Sequence, residues 1–285
     1  MLETVRNAFK LKEIRSRIIY TLLMLVVVRI GTQLPVPGVN GNYFSEWFSG
    51  NSGSAFGFFD AITGGSFEKM SVFALNITPY ITSSIIIQLL TIAIPKLEEL
   101  QKDGEEGRKK MTAITRYLTV ALALMESLAM AIGFGRSGLL IEFNALNVIT
   151  AVVTLTAGST VIMWIGERIT ENGVGNGISI VLTINIISRI PQDLTLLFEQ
   201  FVKGKEIAFQ VLNLAIIIAV IIAVTVLTVA LQGAERRIPV QYSRKVQGRK
   251  QVGGQTSHIP LKVNTAGVIP IIFAQSLFMF PLIIM

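Results

Sequence analysis

Cysteine is absent from this chain of 285 residues, and histidine occurs only once, as His258. Without cysteine there is no disulfide bridge and no thiolate metal site. The sequence also lacks the HExxH zinc motif and the P-loop, and the glycine-rich run at 173–177 lacks the third glycine of a dinucleotide-binding fingerprint. We therefore expect no enzymatic activity, no bound metal and no cofactor.

Charged residues are scarce too. They make up 15% of the chain against 51% hydrophobic residues, and the mean hydropathy is +0.61. These values are far too apolar for an ordinary soluble domain and indicate a polytopic membrane protein. The segment before the first apolar run is basic, and that run is longer than the core of a signal peptide, so we expect a retained span. Seven runs are candidate spans: 18–34, 77–94, 117–134, 148–166, 178 to about 198, 208–231 and 266–285.

Lysine and arginine are unevenly divided between the two sides of the predicted membrane topology. Segments on one side hold nineteen of the 25 basic residues and those on the other side hold five, while Arg29 lies near the far end of the first span. The positive-inside rule then places the amino terminus in the cytoplasm. The net charge of +7 needs no nucleic acid to explain it.

The stretch 58–91 joins a polar half directly to an apolar half. Residues 77–94 form eighteen residues without a charge, close to the ~20 that span ~30 Å of hydrocarbon. The preceding half carries Asp60, Glu68 and Lys69 and cannot be exposed to lipid. Irregular backbone is tolerated at membrane depth only where protein buries it or a water-filled cavity receives it. The stretch therefore implies a cavity.

Proline and glycine interrupt several of the predicted spans. Pro79 lies near the start of the second, the glycine-rich run 173–177 opens the fifth, and Pro191 divides the fifth; Pro270 and Pro281 interrupt the seventh. Discontinuous helices usually line cavities. Proline is also common in membrane helices, so a kink without function is an equal alternative at any one position.

Glu126 lies midway along the third predicted span, where an ionised group is costly. We expect it to face the bundle interior or a wet cavity, and a structural hydrogen bond to a neighbouring helix is the alternative. Glu167, Arg168 and Glu171 lie at the cytoplasmic end of the fourth span, where water and headgroups would solvate them.

The loop between the sixth and seventh spans, at about 232–263, is long and strongly basic. Its basic residues include Arg236, Arg237, Arg244, Lys245, Arg249 and Lys250. Three interpretations are open. The charges are a topology signal, they attract anionic lipid at about 1 kcal/mol per residue, or they dock an acidic partner such as ribosomal RNA or an acidic protein surface.

Several long stretches carry a resemblance to one family. They are RIGTQLPVPGVN at 29–40, the stretch 64–91, GEEGRKK at 104–110, MWIGERITENGVGNGISI at 163–180, and the stretch 247–274. Together they resemble SecY, the channel subunit of the bacterial Sec translocon. The resemblance implies an all-α, polytopic membrane helix bundle of ten spans, arranged as two inverted-repeat halves around a pore, with a re-entrant plug helix.

The resemblance also divides the chain. Residues 1–200 would form the first half, with the basic amino-terminal segment and spans one to five, and residues 201–285 would begin the second half with spans six and seven. Three further spans of the family pattern would be missing from this sequence.

In the family, a ring of aliphatic side chains narrows the pore. Carried over, the ring falls on Ile77, Ile81, Ile178, Leu182 and Ile272. The first two pairs are spaced by four residues, which places both members of each pair on one helical face. An apolar constriction of this kind repels water and ions by dewetting.

The polar segment at about 56–72 resembles the family's plug. Its candidate residues are Asp60, Gly64, Gly65 and Phe67. The two glycines would let the plug pack closely or swing aside.

The second and seventh spans resemble the two sides of a lateral gate, with Gln88 and Asn264 among its polar residues and Glu126 nearby. Polar pairs between membrane helices contribute only about 0.6 kcal/mol on average. A signal peptide core of ten leucine-like residues gains roughly 0.3 to 0.6 kcal/mol for each residue in hydrocarbon. Signal binding would therefore outweigh gate closure.

The basic loop resembles the docking site for ribosomes and for the SecA ATPase, with Arg249 and Lys250 at its tip. The resemblance further implies SecE and SecG as membrane partners, and signal peptides, unfolded polypeptide and membrane lipids as contacts of the channel.

We expect a non-enzymatic, protein-conducting channel subunit of the bacterial plasma membrane, for translocation of secretory proteins and lateral insertion of membrane proteins. The alternative is a secondary transporter with discontinuous helices and Glu126 as its coupling residue. A third possibility, an intramembrane hydrolase, lacks a convincing nucleophile and base.

Overall fold

The structure is a computed structural model that describes residues 11–51, 55–135, 138–204, 206–240, 245–247, 250–252 and 257–265, together with 267, 270, 271 and 274. The helices are α1 Lys12–Gly31, α2 Gly41–Asn51, α3 Ala55–Thr63, α4 Thr78–Ala93, α5 Pro95–Lys102, α6 Gly104–Gly133, α7 Ala145–Asn172, α8 Gly177–Phe201 and α9 Ile207–Gly233. The strands are β1 Glu235–Val240, β2 Lys245–Gln247, β3 Lys250–Val252 and β4 Ser257–Lys262. Among the described residues, one compact unit runs to Pro191 and a second covers Gln192–Ile271.

Four of these helices, α6 to α9, are long and apolar enough to cross a membrane, and the bent pair α4–α5 is a fifth candidate. They correspond to the second to sixth predicted spans. The first predicted span coincides with α1, whose charged residues lie near its two ends. The seventh falls largely outside the described residues.

Proline sets the ends of α4. Pro79 lies in its first turn, where the missing N–H costs no hydrogen bond, so this proline begins the helix instead of interrupting a span. At the other end, Ile94 is extended because it precedes Pro95. The chain there turns by 106° into the polar helix α5.

The prediction that Pro191 divides the fifth span was wrong, because α8 runs without a break from Gly177 to Phe201. A proline removes one backbone hydrogen bond. Ending the helix inside an apolar stretch would leave more backbone groups unpaired in hydrocarbon. A helix that continues through Pro191 therefore has the lower free energy.

The polar stretch in front of α4 is buried inside the first unit. Most residues between Phe59 and Pro79 are inaccessible, which agrees with the expectation that protein shelters this segment. Phe67 is its centre, and the rings of Phe44, Phe48 and Phe59 meet it edge-on with centroids 5.3, 6.2 and 5.1 Å away. Such edge-to-face pairs add specific geometry to the burial of apolar area.

In the second unit, α9 is apolar on every side and none of its described residues is buried, as expected for a helix that faces lipid or a partner. The basic loop forms antiparallel ribbons, which the sequence had not predicted. β1 pairs with β4 from Glu235 opposite Lys262 to Val240 opposite Ser257, and β2 pairs with β3.

Candidate functional site

Four of the five predicted ring residues come together in one aliphatic cluster. Ile77 is 1% exposed within it, and the partly buried Ile81, Ile178 and Leu182 pack against it. Ile272 lies outside the described residues. The cluster brings the start of α4 against the start of α8, and further members are Leu25, Val28, Phe73, Ile162, Ile165, Ile169 and Val181.

A close helix contact holds the start of α8 in this position. A Cβ atom at Gly177 would lie 2.0 Å from the carbonyl oxygen of Gly166 in α7, so only glycine allows the approach. The N–H of Gly177 also donates to Oγ1 of Thr170 at 2.9 Å. These contacts fix the direction in which Ile178 enters the cluster.

The predicted plug consists of α3 and the turns that follow it, and it carries a fully buried carboxylate. Oδ1 of Asp60 accepts hydrogen bonds from the N–H of Glu68 at 2.8 Å and from Oγ1 of Thr63 at 3.5 Å. Oδ2 pairs with Nη1 of Arg189 in α8. A buried charge requires such partners because its desolvation is otherwise too costly.

Arg189 connects the predicted plug to α8 through two acidic residues. Its Nη2 atom also lies 3.6 Å from Oε2 of Glu68, and its side chain is 14% exposed. In the sequence, Arg189 is one of the five basic residues on the less basic side of the predicted topology, and no role was predicted for it. Its position in the sequence could have indicated a role, because Arg189 lies inside an apolar span, where charged residues are rare and usually functional.

The plug turn lies directly on the backbone of α8. Gly64 and Gly65 have φ values of +71° and +79°, a conformation that favours glycine. A Cβ atom at Gly64 would lie 2.6 Å from the carbonyl oxygen of Asn185. Since Asn185 and Arg189 are four residues apart, both lie on the face of α8 that receives the plug.

A buried polar group joins the plug to α7 and α8 just before Ile77. Asn76, with φ at +51°, accepts a hydrogen bond on Oδ1 from Nδ2 of Asn185 at 3.2 Å and on its carbonyl from Oγ of Ser159 at 3.0 Å. Its own Nδ2 donates to the carbonyl of Ile62 at 3.4 Å. No role was predicted from the sequence for Asn76, Ser159 or Asn185.

The predicted gate residues have separate surroundings. Gln88 is exposed on α4, and Glu126 is partly buried on α6, where within the described part of the chain it makes no hydrogen bond or ion pair. Oδ1 of Asn264, in the second unit, accepts the N–H of Gly267 at 3.0 Å. The gate assignment stays a prediction.

The charged residues at the end of α7 form two ion pairs. Arg168 and Glu171 are exposed, as expected, whereas the Glu167 side chain is only 15% exposed. Arg168 contacts Glu171 at 2.8 Å, and Arg116 of α6 contacts Glu167 at 2.8 Å.

The basic loop presents part of its charge on the ribbons. Arg236 and Arg237 are exposed on β1, Lys245 lies in β2 and Lys250 in β3. Arg244 and Arg249 lie outside the described residues.

The apolar helices and the buried segment between them define a multi-pass membrane protein of the all-helical class. The family model SecY matches residues 71–285. The protein translocase subunit SecY of Halalkalibacterium halodurans is 42% identical over 99% of the chain and 66% of the relative, and that of Pseudomonas aeruginosa is 42% identical over 95% and 61%. The chain belongs to the SecY family, and it spans about two thirds of the length of these relatives.

Solved structures share the fold. One described as the structure of a protein conducting channel matches with a TM-score of 0.59 and 21% identity, covering 93% of this chain and 56% of its own. Sec61 in the canine ribosome-channel complex from the endoplasmic reticulum matches with a TM-score of 0.58 and 21% identity, with the same coverage.

Replacing Asn185 by alanine should lower the stability of the first unit. The change leaves Oδ1 of Asn76 without its buried donor, which costs about 1–3 kcal/mol. Thermal unfolding of the full-length protein in detergent measures the loss. Thr183→Ala, at an exposed position on the same helix, is the matched control and should unfold like the parent. Equal unfolding temperatures for all three proteins would contradict the role of Asn185.

Proposed function

We propose that this chain is part of a protein-conducting channel that moves unfolded secretory polypeptides across the bacterial plasma membrane and releases apolar segments sideways into lipid. The observation that carries the proposal is the aliphatic cluster of α4 and α8 lying next to a buried polar segment. The names of the relatives, protein translocase subunits, support the same activity.

The cluster would act as the seal of the resting pore. Ile81, Ile178 and Leu182 are only partly buried at its edge, so their side chains are available to line a passage. A narrow aliphatic opening disfavours water and therefore blocks ions. Flexible aliphatic side chains also fit around a passing chain of any sequence, because they require no specific hydrogen bonds.

The buried segment at about 56–72 would be the plug. It occupies space among α7, α8 and the start of α4, and its buried Asp60 carboxylate has partners inside the protein. A segment of this kind is stable at membrane depth because it is sheltered. Its removal would open the space that it fills.

The energy for transport would come from a partner, since the sequence has no P-loop for nucleotide binding. We assign this role to the SecA ATPase or to a translating ribosome. Either would dock on the basic ribbons, where Arg236 and Arg237 are exposed; Arg244, Lys245, Arg249 and Lys250 extend the basic surface in sequence. SecE and SecG would be the membrane partners, and the amino terminus would be cytoplasmic.

Lateral release would use α4 as one side of a gate, with Gln88 on its exposed surface and Glu126 on α6, which packs against α4. Asn264 would belong to the opposite side. Signal peptides would enter between the two sides, in contact with lipid. The comparisons do not favour the secondary transporter that Glu126 had suggested as an alternative.

Substituting glycine at Ile81 and Ile178 together should raise the ion conductance of the resting channel. Removing both side chains widens the aliphatic opening and lets water enter. Single-channel recording of the full-length complex in planar bilayers measures the change.

The matched control for this experiment is Ile187→Gly, because Ile187 lies on the same helix and is 51% exposed. It should conduct like the parent. Unchanged conductance in the double variant, or an equal rise in the control, would show that these residues do not form the seal.

Charge reversal at Arg236 and Arg237 should weaken the binding of SecA and of ribosomes, because both would meet the ribbon through acidic or phosphate groups. Binding to the channel in membrane vesicles at two salt concentrations measures the effect, and the loss should be larger at low salt. The control reverses Lys109 and Lys110, which are exposed at the start of α6. Equal affinity in both variants would exclude the ribbon as the docking site.

A further inference from the structure

Two ion pairs join the plug segment to α8, and both are made by Arg189. Asp60 is fully buried, Arg189 is 14% exposed and Glu68 is 22% exposed. The other described ion pairs have at least one partner that is more than 40% exposed. Exposed pairs contribute little, whereas breaking a buried pair leaves a charge without compensation.

Both carboxylates lie on the plug segment, and the cation lies on α8. The Glu68 carboxylate is also held from a second direction, since Oγ of Ser45 in α2 donates to its Oε1 at 3.4 Å. If the segment moved away from α8, Asp60 and Glu68 would leave together and Arg189 would stay behind. The ion pairs therefore stabilise the position of the segment against α8 relative to a position away from α8.

The same face of α8 fits the backbone of the plug turn. The Nη1 atom of Arg189 lies 3.8 Å from the place where a Cβ of Gly65 would stand, and the carbonyl of Asn185 lies against Gly64. The guanidinium group of Arg189 therefore lies beside the same turn that packs against the backbone of Asn185. One face of α8 therefore provides both the close packing against the glycine turn and the ion pairs with the plug segment.

We propose that Arg189 is the latch of the plug, holding it on α8 in the resting state through Asp60 and Glu68, and that opening requires these two ion pairs to separate. This inference rests on the proposed channel function. It assigns to Arg189 a positioning role that the aliphatic cluster cannot supply, because aliphatic contacts have no preferred partner on the plug.

The test is the resting ion conductance of the full-length channel complex in planar bilayers. Arg189→Gln leaves the two carboxylates without a counter-ion and should raise resting conductance at least about 10-fold, which equals a shift of about 1.4 kcal/mol toward the open state. Arg189→Lys keeps the charge but loses the two-pronged geometry, so its conductance should lie between those of the parent and the glutamine variant.

The matched control is Lys203→Gln, which removes an exposed cation paired with Glu199 beyond the end of the same helix and should conduct like the parent. If Arg189→Gln fails to accumulate, Glu68→Gln decides the question, because it removes only the outer ion pair. It should raise conductance roughly 2- to 3-fold, about a third to a half of a 10-fold step on the free-energy scale. Arg189 is not a latch if the resting conductance of Arg189→Gln, or of Glu68→Gln where Arg189→Gln does not accumulate, equals that of the parent. An equal rise in conductance for Lys203→Gln would also refute the latch.

A parallel assay separates this inference from the proposed function. Transport of a secretory precursor by the parent complex tests the channel itself, and its absence would refute the proposed function. A transport-competent parent whose Arg189→Gln variant keeps the resting conductance of the parent would refute the latch alone. We expect the variant to retain transport, because the latch acts only on the closed state.

Discussion

The structure depends on the requirement that a polar segment at membrane depth must satisfy all its charges and backbone groups inside the protein. Asp60 meets this requirement with a guanidinium group from α8, a hydroxyl group and a backbone N–H. Asn76 meets it with partners from α7 and α8. Because water cannot replace these partners in hydrocarbon, the surrounding helices have to lie where they can supply them.

Small residues make this arrangement possible. At Gly158, a Cβ atom would lie 1.9 Å from the carbonyl oxygen of Val72, so α7 approaches the segment at backbone distance. Gly64 allows the same approach to α8. Close backbone contact brings the polar partners within hydrogen-bonding range and places the aliphatic cluster beside the segment, so the cluster and the buried polar segment share one structural origin.

The sequence predicted the larger elements well because hydrophobicity over some twenty residues is a strong signal. It also indicated that the segment around Asp60 is sheltered, since lipid would not accept its charges. It did not predict the continuity of α8 through Pro191, because the cost of an unpaired backbone depends on the surroundings. The pairing of Arg189 with Asp60 and of Asn76 with Asn185 was not predictable either, since each pair joins residues more than a hundred positions apart in the chain. The grouping of Ile81 with Ile178 came from family resemblance, as spacing alone does not distinguish a pore from a core.

In the proposed channel, the aliphatic cluster lines the path of a polypeptide. The most direct test of this role places a photo-crosslinking amino acid at position 81 of the full-length channel and stalls a secretory chain during transport. We expect strong crosslinks from position 81 to the stalled chain and few from position 187, on the exposed side of α8. Crosslinks from position 187 alone, or equal labelling from both positions, would contradict this role.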